Sequence, residues 1–181
     1  LVSTEDAKIA ALARAQGFAV DNRPAELATD KAGTTDICLE LLERLEQQGE
    51  IYDIIALLYP TAPLRNADDI RSMVRLVQRE DTDFVHAVTS FEGNPYQVLY
   101  QNSNGYLAPV WPLLVQKKSQ ELPQPFRGNG STYLAKTAAL KSARTFYGPR
   151  LRGYQMDRLR SADIDTQEDF DVLTAFASIL K

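Results

Sequence analysis

A chain of 181 residues, 44% of them hydrophobic, has the length of one domain and enough apolar material for a single sizeable core. Its formal charge of −4 and isoelectric point near 5.1 leave no basic field for a phosphate polymer or an anionic membrane, which argues against nucleic acid and membrane as partners. The one cysteine, Cys38, sits among Ile37, Leu39 and Leu41 and cannot build a disulfide framework or thiolate cage within one chain, and no apolar stretch approaches the roughly 20 residues of a membrane span, so a cytoplasmic protein is expected.

Short apolar runs alternate with amphipathic stretches, the pattern of an α/β fold with helices on both faces of a mostly parallel sheet. Leu1 to Thr4 carries no initiator Met and reads as the tail of a strand, with the expectation that an upstream part has been removed. Ser3 or Thr4 can cap a first helix with Ile9, Leu12 and Ala13 at helical spacing, and Gly17 suits its exit. Phe18 to Val20 starts a short strand. A polar loop holding Arg23 to Lys31 follows, and Ile37, Leu41, Leu42 and Leu45 then form the stripe of a second helix that Gly49 can close.

Ile51 to Leu58 is nearly unbroken apolar, as a central strand covered on both faces should be, and Tyr59-Pro60 ends it. Asn66 predicts the cap of a third helix, with Asp68 and Asp69 in its first turn and Ile70, Met73, Val74 and Val77 inward. Asp83 to Phe91 reads as a strand. From Gly93 to Arg127 the chain is rich in proline and loops, an insertion of the kind that serves a site or a subunit contact. Ser131 to Ala135 then predicts a strand, Lys136 to Ala143 a short helix and Gly153 to Met156 a strand. Thr166 with Asp169 forms a capping pair for a last helix whose apolar positions are Phe170, Leu173, Phe176, Ala177 and Leu180.

Asp163 and Asp165 stand two apart between a strand and the last helix, and in extended backbone such residues project to one side. A converging carboxylate pair suits Mg²⁺; the plainer alternative is that Asp165 helps cap the helix and Asp163 is solvated. Arg23, Arg65 and Arg127 each lie in a loop beside Pro or Gly, placed either to grip an anion or simply to face water. Tyr59, Tyr133, Phe146 and Tyr147 can wall a sugar pocket or fill the core. His86, alone in an apolar strand, reads as packed or hydrogen-bonded rather than catalytic, and no Ser-His-acid or Cys-His set accompanies it.

Six stretches taken in order, VST at 2–4, RPAELATD at 23–30, YPTAPLR at 59–65, NPY at 94–96, SQELPQPFRGNG at 119–130 and SADIDTQEDF at 161–170, resemble the acylneuraminate cytidylyltransferase family. The resemblance spans nearly the whole chain as a single domain. It implies a Rossmann-like nucleotide-diphospho-sugar transferase fold, Mg²⁺, and transfer of CMP from CTP to the anomeric hydroxyl of a nine-carbon acidic sugar with release of pyrophosphate. It also implies a homodimer in which the 93–127 insertion packs on the partner. By the same resemblance Arg23, Ala32, Gly33 and Thr34 hold the nucleotide. Tyr59, Gln97, Arg127, Tyr133, Phe146 and Tyr147 face the sugar, and Asp163 and Asp165 bind the metal. Many sialic acid members have Gln in place of Tyr59 and Lys in place of Gln97, whereas the YPTAP stretch is more similar to the pseudaminic branch. The family's first strand and its Gly-, Arg- and Lys-rich phosphate loop are absent from this sequence, so these residues alone are expected to show little synthetase activity. An eight-carbon acid, another nucleotide, or a non-catalytic binding and dimerisation domain are the competing readings.

Overall fold

The computed structural model describes residues 1–29, 31–91 and 93–179; Leu180 of the last helix and Asp30 of the RPAELATD stretch lie outside the described residues. In chain order the elements are β1 Val2–Thr4, α1 Ala7–Ala15, β2 Val20–Asn22, α2 Thr34–Gln47, β3 Ile54–Leu58, α3 Ala67–Val77 and β4 Phe84–Ser90. Then come β5 Leu99–Gln101, β6 Leu107–Pro109, β7 Phe126–Lys136, α4 Thr137–Ala143, β8 Leu151–Gln155 and α5 Gln167–Ile179.

The main sheet has the order β3-β7-β4-β8, and β1 and β2 form a separate parallel ribbon. β4 and β8 are parallel, while β7 runs antiparallel to both of its neighbours, so three of the four strands share one direction and β7 is reversed. The α/β expectation holds, but the main sheet is mixed rather than mostly parallel, since two of its three ladders are antiparallel. Ile51 to Leu58 was expected to be a central strand; among the described residues β3 begins only at Ile54 and pairs on one side, with β7, leaving Ala56 and Leu58 exposed.

Period-two alternation decides which face each strand residue fills. Phe84 and Ala135 join Cys38 and Leu42 of α2, Leu140 of α4 and Phe146 on one face. Val85, Ala87 and Leu134 join Met73 and Val77 of α3 and Met156 on the other. Asn66 caps α3 as expected, in a capping box with Asp69, and Thr166 with Asp169 opens α5. Gly49, at φ +85°, closes α2.

Some local expectations fail. Asp6, not Ser3 or Thr4, caps α1, because Asp6 is the residue in extended backbone whose carboxylate reaches the N–H groups of Lys8 (2.7 Å) and Ile9 (2.9 Å). The buried face of α1 is accordingly Ala10 and Ala13, with Ile9 and Leu12 outside; Phe170 of α5 is likewise exposed. The insertion is a β5–β6 hairpin flanked by single 3-10 turns, and its last residues, Phe126 and Arg127, already belong to β7.

Candidate active site

The site forms where β3, β4 and β7 meet the loops that follow them. Tyr59, just past β3, meets Tyr133 of β7 edge-on at 5.7 Å between ring centroids, and its phenol shares a 2.7 Å hydrogen bond with the hydroxyl of Thr34, the first residue of α2. His86 is paired with Tyr133 in the β4–β7 register and stands between the rings of Tyr133 (4.4 Å) and Tyr147 (4.6 Å). Its Nε2 donates to the Phe146 carbonyl at 3.1 Å, which makes it a holder of the 146–147 loop. Burial pushes the His86 pKa down, the carbonyl partly opposing, so the ring is neutral. The Tyr133 phenol is pushed up to about 12, first by burial and then by the neighbouring Tyr147, Tyr59 and Asp163.

That last neighbour ties the aromatic wall to the aspartates. Asp163 is half-buried beside Gly130, where a Cβ would stand 2.7 Å from its Oδ2, and Asp165 is exposed. The helix-cap reading of Asp165 fails: the cap is made by Asp169 and Thr166, and only the backbone N–H of Asp165 takes part, donating to Asp169 at 3.1 Å. Among the described residues no ion pair engages either carboxylate. Nor is there a group of three or more His, Cys, Asp or Glu able to form a closed cage. Asp163 and Asp165 offer oxygen donors of the kind Mg²⁺ takes, one or two carboxylates with phosphate oxygens and water completing its shell.

The three arginines part company. Arg65 is a structural clamp: its Nη1 donates to the carbonyls of Tyr59 (2.6 Å), Ala62 (2.9 Å) and Ser131 (3.2 Å). Arg23 lies at the end of the β1–β2 ribbon, donating to the Ser3 carbonyl at 2.7 Å and facing Glu5 at 3.5 Å. No described hydrogen bond or ion pair links it to the aspartates, and of the residues expected to hold the nucleotide it is Thr34 that bonds to the aromatic wall, through Tyr59. Arg127 lines a cavity of about 350 Å³ with Arg158, Ser161, Ala162 and Phe176, one residue away from Asp163. Phe146 is core, packed with Phe84 and Leu140, whereas Tyr147 is exposed. Gln97 sits exposed in a 3-10 turn of the insertion, and Ala32 and Gly33 lead into α2. Sequence reasoning missed Arg158 and Asn129, whose roles depend on a fold contact that no local pattern announces.

No family model matches the chain. The pseudaminic acid cytidylyltransferase of Campylobacter jejuni subsp. jejuni serotype O:2 is 28% identical to it over 181 residues, 99% of this chain and 76% of that protein. The CMP-N,N'-diacetyllegionaminic acid synthase of Legionella pneumophila is 29% identical over 175 residues, 94% of this chain and 74% of that protein. Over most of its length the chain is similar to cytidylyltransferases named for pseudaminic, legionaminic and N-acylneuraminic acids. In keeping with this, the N-acylneuraminate cytidylyltransferase of Streptococcus agalactiae serotype V is 26% identical over 93% of this chain, which spans 40% of that longer protein. The solved structure of CMP:2-keto-3-deoxy-manno-octonic acid synthetase complexed with CTP superposes with a TM-score of 0.66 at 12% identity, over 99% of this chain and 80% of the other, and shows that this homologue shares its fold.

Proposed function

We propose that the protein transfers CMP from CTP to the anomeric hydroxyl of a nine-carbon acidic sugar, releasing pyrophosphate. The observation that carries this reading is that relatives acting on pseudaminic, neuraminic and legionaminic acids all align over at least 93% of the chain. The local geometry agrees. An aromatic wall suits the apolar face of a sugar ring, and carboxylates beside it suit a metal-bound triphosphate. The sugar oxygen attacks the α-phosphorus as the bond to the pyrophosphate oxygen breaks, so no covalent enzyme intermediate is needed. Asp163 and Asp165 would hold Mg²⁺, which neutralises charge on the phosphate oxygens when bound. Thr34, Gly33 and Ala32 border the nucleotide. Arg127, with Arg158 across the same cavity, accepts the sugar carboxylate, and Tyr59, Tyr133 and Tyr147 orient the ring.

The hairpin arm exposes Tyr106, Leu107, Trp111 and Leu113, the last at 86%, a concentration of apolar surface that a second copy of the chain would cover. A homodimer working in the cytoplasm completes the reading. The test, on the chain joined to the family's first strand and phosphate loop, is pyrophosphate release with CTP, UTP and GTP against pseudaminic, legionaminic, N-acetylneuraminic and eight-carbon 3-deoxy acids. Release with CTP and one nine-carbon acid is the expected result. Release only with the eight-carbon acid, or with UTP or GTP and a neutral sugar, transfers the assignment to a sister enzyme.

A further inference from the structure

The segment that carries Asp163 is irregular, yet three elements hold it in place. From α3, the buried carboxylate of Asp69 accepts hydrogen bonds from the Asn66 backbone (2.9 Å), the Tyr154 phenol (3.1 Å) and the Arg160 guanidinium. From β7, the buried Asn129 donates through Nδ2 to Ser161 Oγ at 3.0 Å and to Met156 Sδ at 3.3 Å, and accepts from the Ser131 N–H at 3.1 Å. Ser161 passes its own proton to the Asp157 carbonyl at 2.8 Å. From the turn after β3, the Thr61 carbonyl accepts from the Ile164 N–H at 2.9 Å. The anchors fall at 160, 161 and 164, on both sides of Asp163.

A break in strand pairing makes the β7 anchor available. Between His86 and Val88 the β7 partner jumps from Tyr133 to Gly128, which lifts residues 129–132 out of the β4 ladder. Asn129 is then free to face the 156–161 segment, and Gly130, at φ +69°, turns its bare Cα toward Asp163. A buried ion pair such as Asp69–Arg160 is a weak source of stability, because desolvation offsets most of the attraction. What it supplies is a fixed orientation.

We propose that Asn129 and the Asp69–Arg160 pair are positioning residues for Asp163, holding its carboxylate in place for the metal it would bind. The inference rests on the metal role given to Asp163 above. Its test uses Asn129→Ala and Arg160→Lys, each alone and combined with Asp163→Asn. Mn²⁺ affinity is read from the electron paramagnetic resonance of the free ion in the presence of CTP, and kcat and KM are measured beside it. Removing an outer partner of a metal ligand costs about 10- to 100-fold in metal affinity or activity, and a loss of that order is expected in both Mn²⁺ affinity and kcat. With the metal saturating, KM for CTP should move by less than about two-fold, because the nucleotide's other contacts are untouched. In the Asp163→Asn background neither change should have any further effect.

Wild-type Mn²⁺ affinity and kcat with only a lowered melting temperature would overturn the inference, as would full additivity with Asp163→Asn. Should Asn129→Ala fail to fold, Arg160→Lys tests the same segment from its other anchor. An Asp163-dependent Mn²⁺ site indifferent to both anchors sinks this inference alone. A wild-type chain with no Asp163-dependent site removes the metal reading and this inference together.

Discussion

With φ at +69° and a carboxylate oxygen 2.7 Å from where a methyl would stand, Gly130 accepts a side chain only with strain and a shift of Asp163. Gly130→Ala is expected to cost about 1 to 3 kcal/mol in chemical denaturation, as strained left-handed positions do, and to lower kcat more than KM because Asp163 must move aside. In the proposed reaction Arg127 serves binding rather than chemistry. Arg127→Ala should raise KM for the sugar acid by about ten-fold or more with CTP binding unchanged, the loss expected when one charged hydrogen-bonding partner is removed. Wild-type KM for the sugar would remove Arg127 from the carboxylate. The Asp163-x-Asp165 spacing is plain in the sequence, but where each carboxylate lies depends on the fold, which half-buries Asp163 beside Gly130 and leaves Asp165 exposed. Arg65 was not, since the same side chain beside the same proline serves equally as anion grip or carbonyl clamp, and only the positions of three carbonyls decide.

At the scale of elements, local chemistry was readable wherever it closes on itself. Asn66 with Asp69 announces α3 within four residues, and Asn66→Ala should lower stability by about 1 kcal/mol, seen as a reduced denaturation midpoint. β7 was half hidden. Gly128 and Gly130 read as loop, yet they continue the strand because Phe126, Arg127 and Gly128 find partners in Ser90, Thr89 and Val88 of β4. Helical spacing put Ile9 and Leu12 inward, but which face of α1 is buried depends on what the ribbon offers it, and Asp6 rather than Thr4 sets the phase. The hairpin arm was legible as an insertion, not as a hairpin. Leu113→Asp should shift a dimer toward monomer in sedimentation velocity while leaving the far-ultraviolet circular dichroism unchanged; an unaltered dimer would move the interface elsewhere.

At the scale of the molecule, the buried His86 couples folding to pH. Its pKa in the folded protein lies below the unfolded value of about 6.5. The unfolded chain therefore takes up a proton that the folded one refuses, and the stabilisation is present above that value and lost as pH falls through the folded pKa. Denaturation midpoints should decline on acidification below about pH 6.5, and His86→Gln should flatten the decline.

The reversed strand has a consequence for synthesis. β7 lies between β3 and β4 and pairs with both, yet it is translated after them and after the whole hairpin arm. Until residue 136 has left the ribosome, two apolar strands wait with open ladders, and the contacts that close them join positions such as Leu57 and Tyr133, far apart in sequence. Nascent chains arrested before Phe126 should be protease-sensitive and bound by chaperones, and those released beyond β8 resistant, so the sheet assembles as a late event from its middle outward.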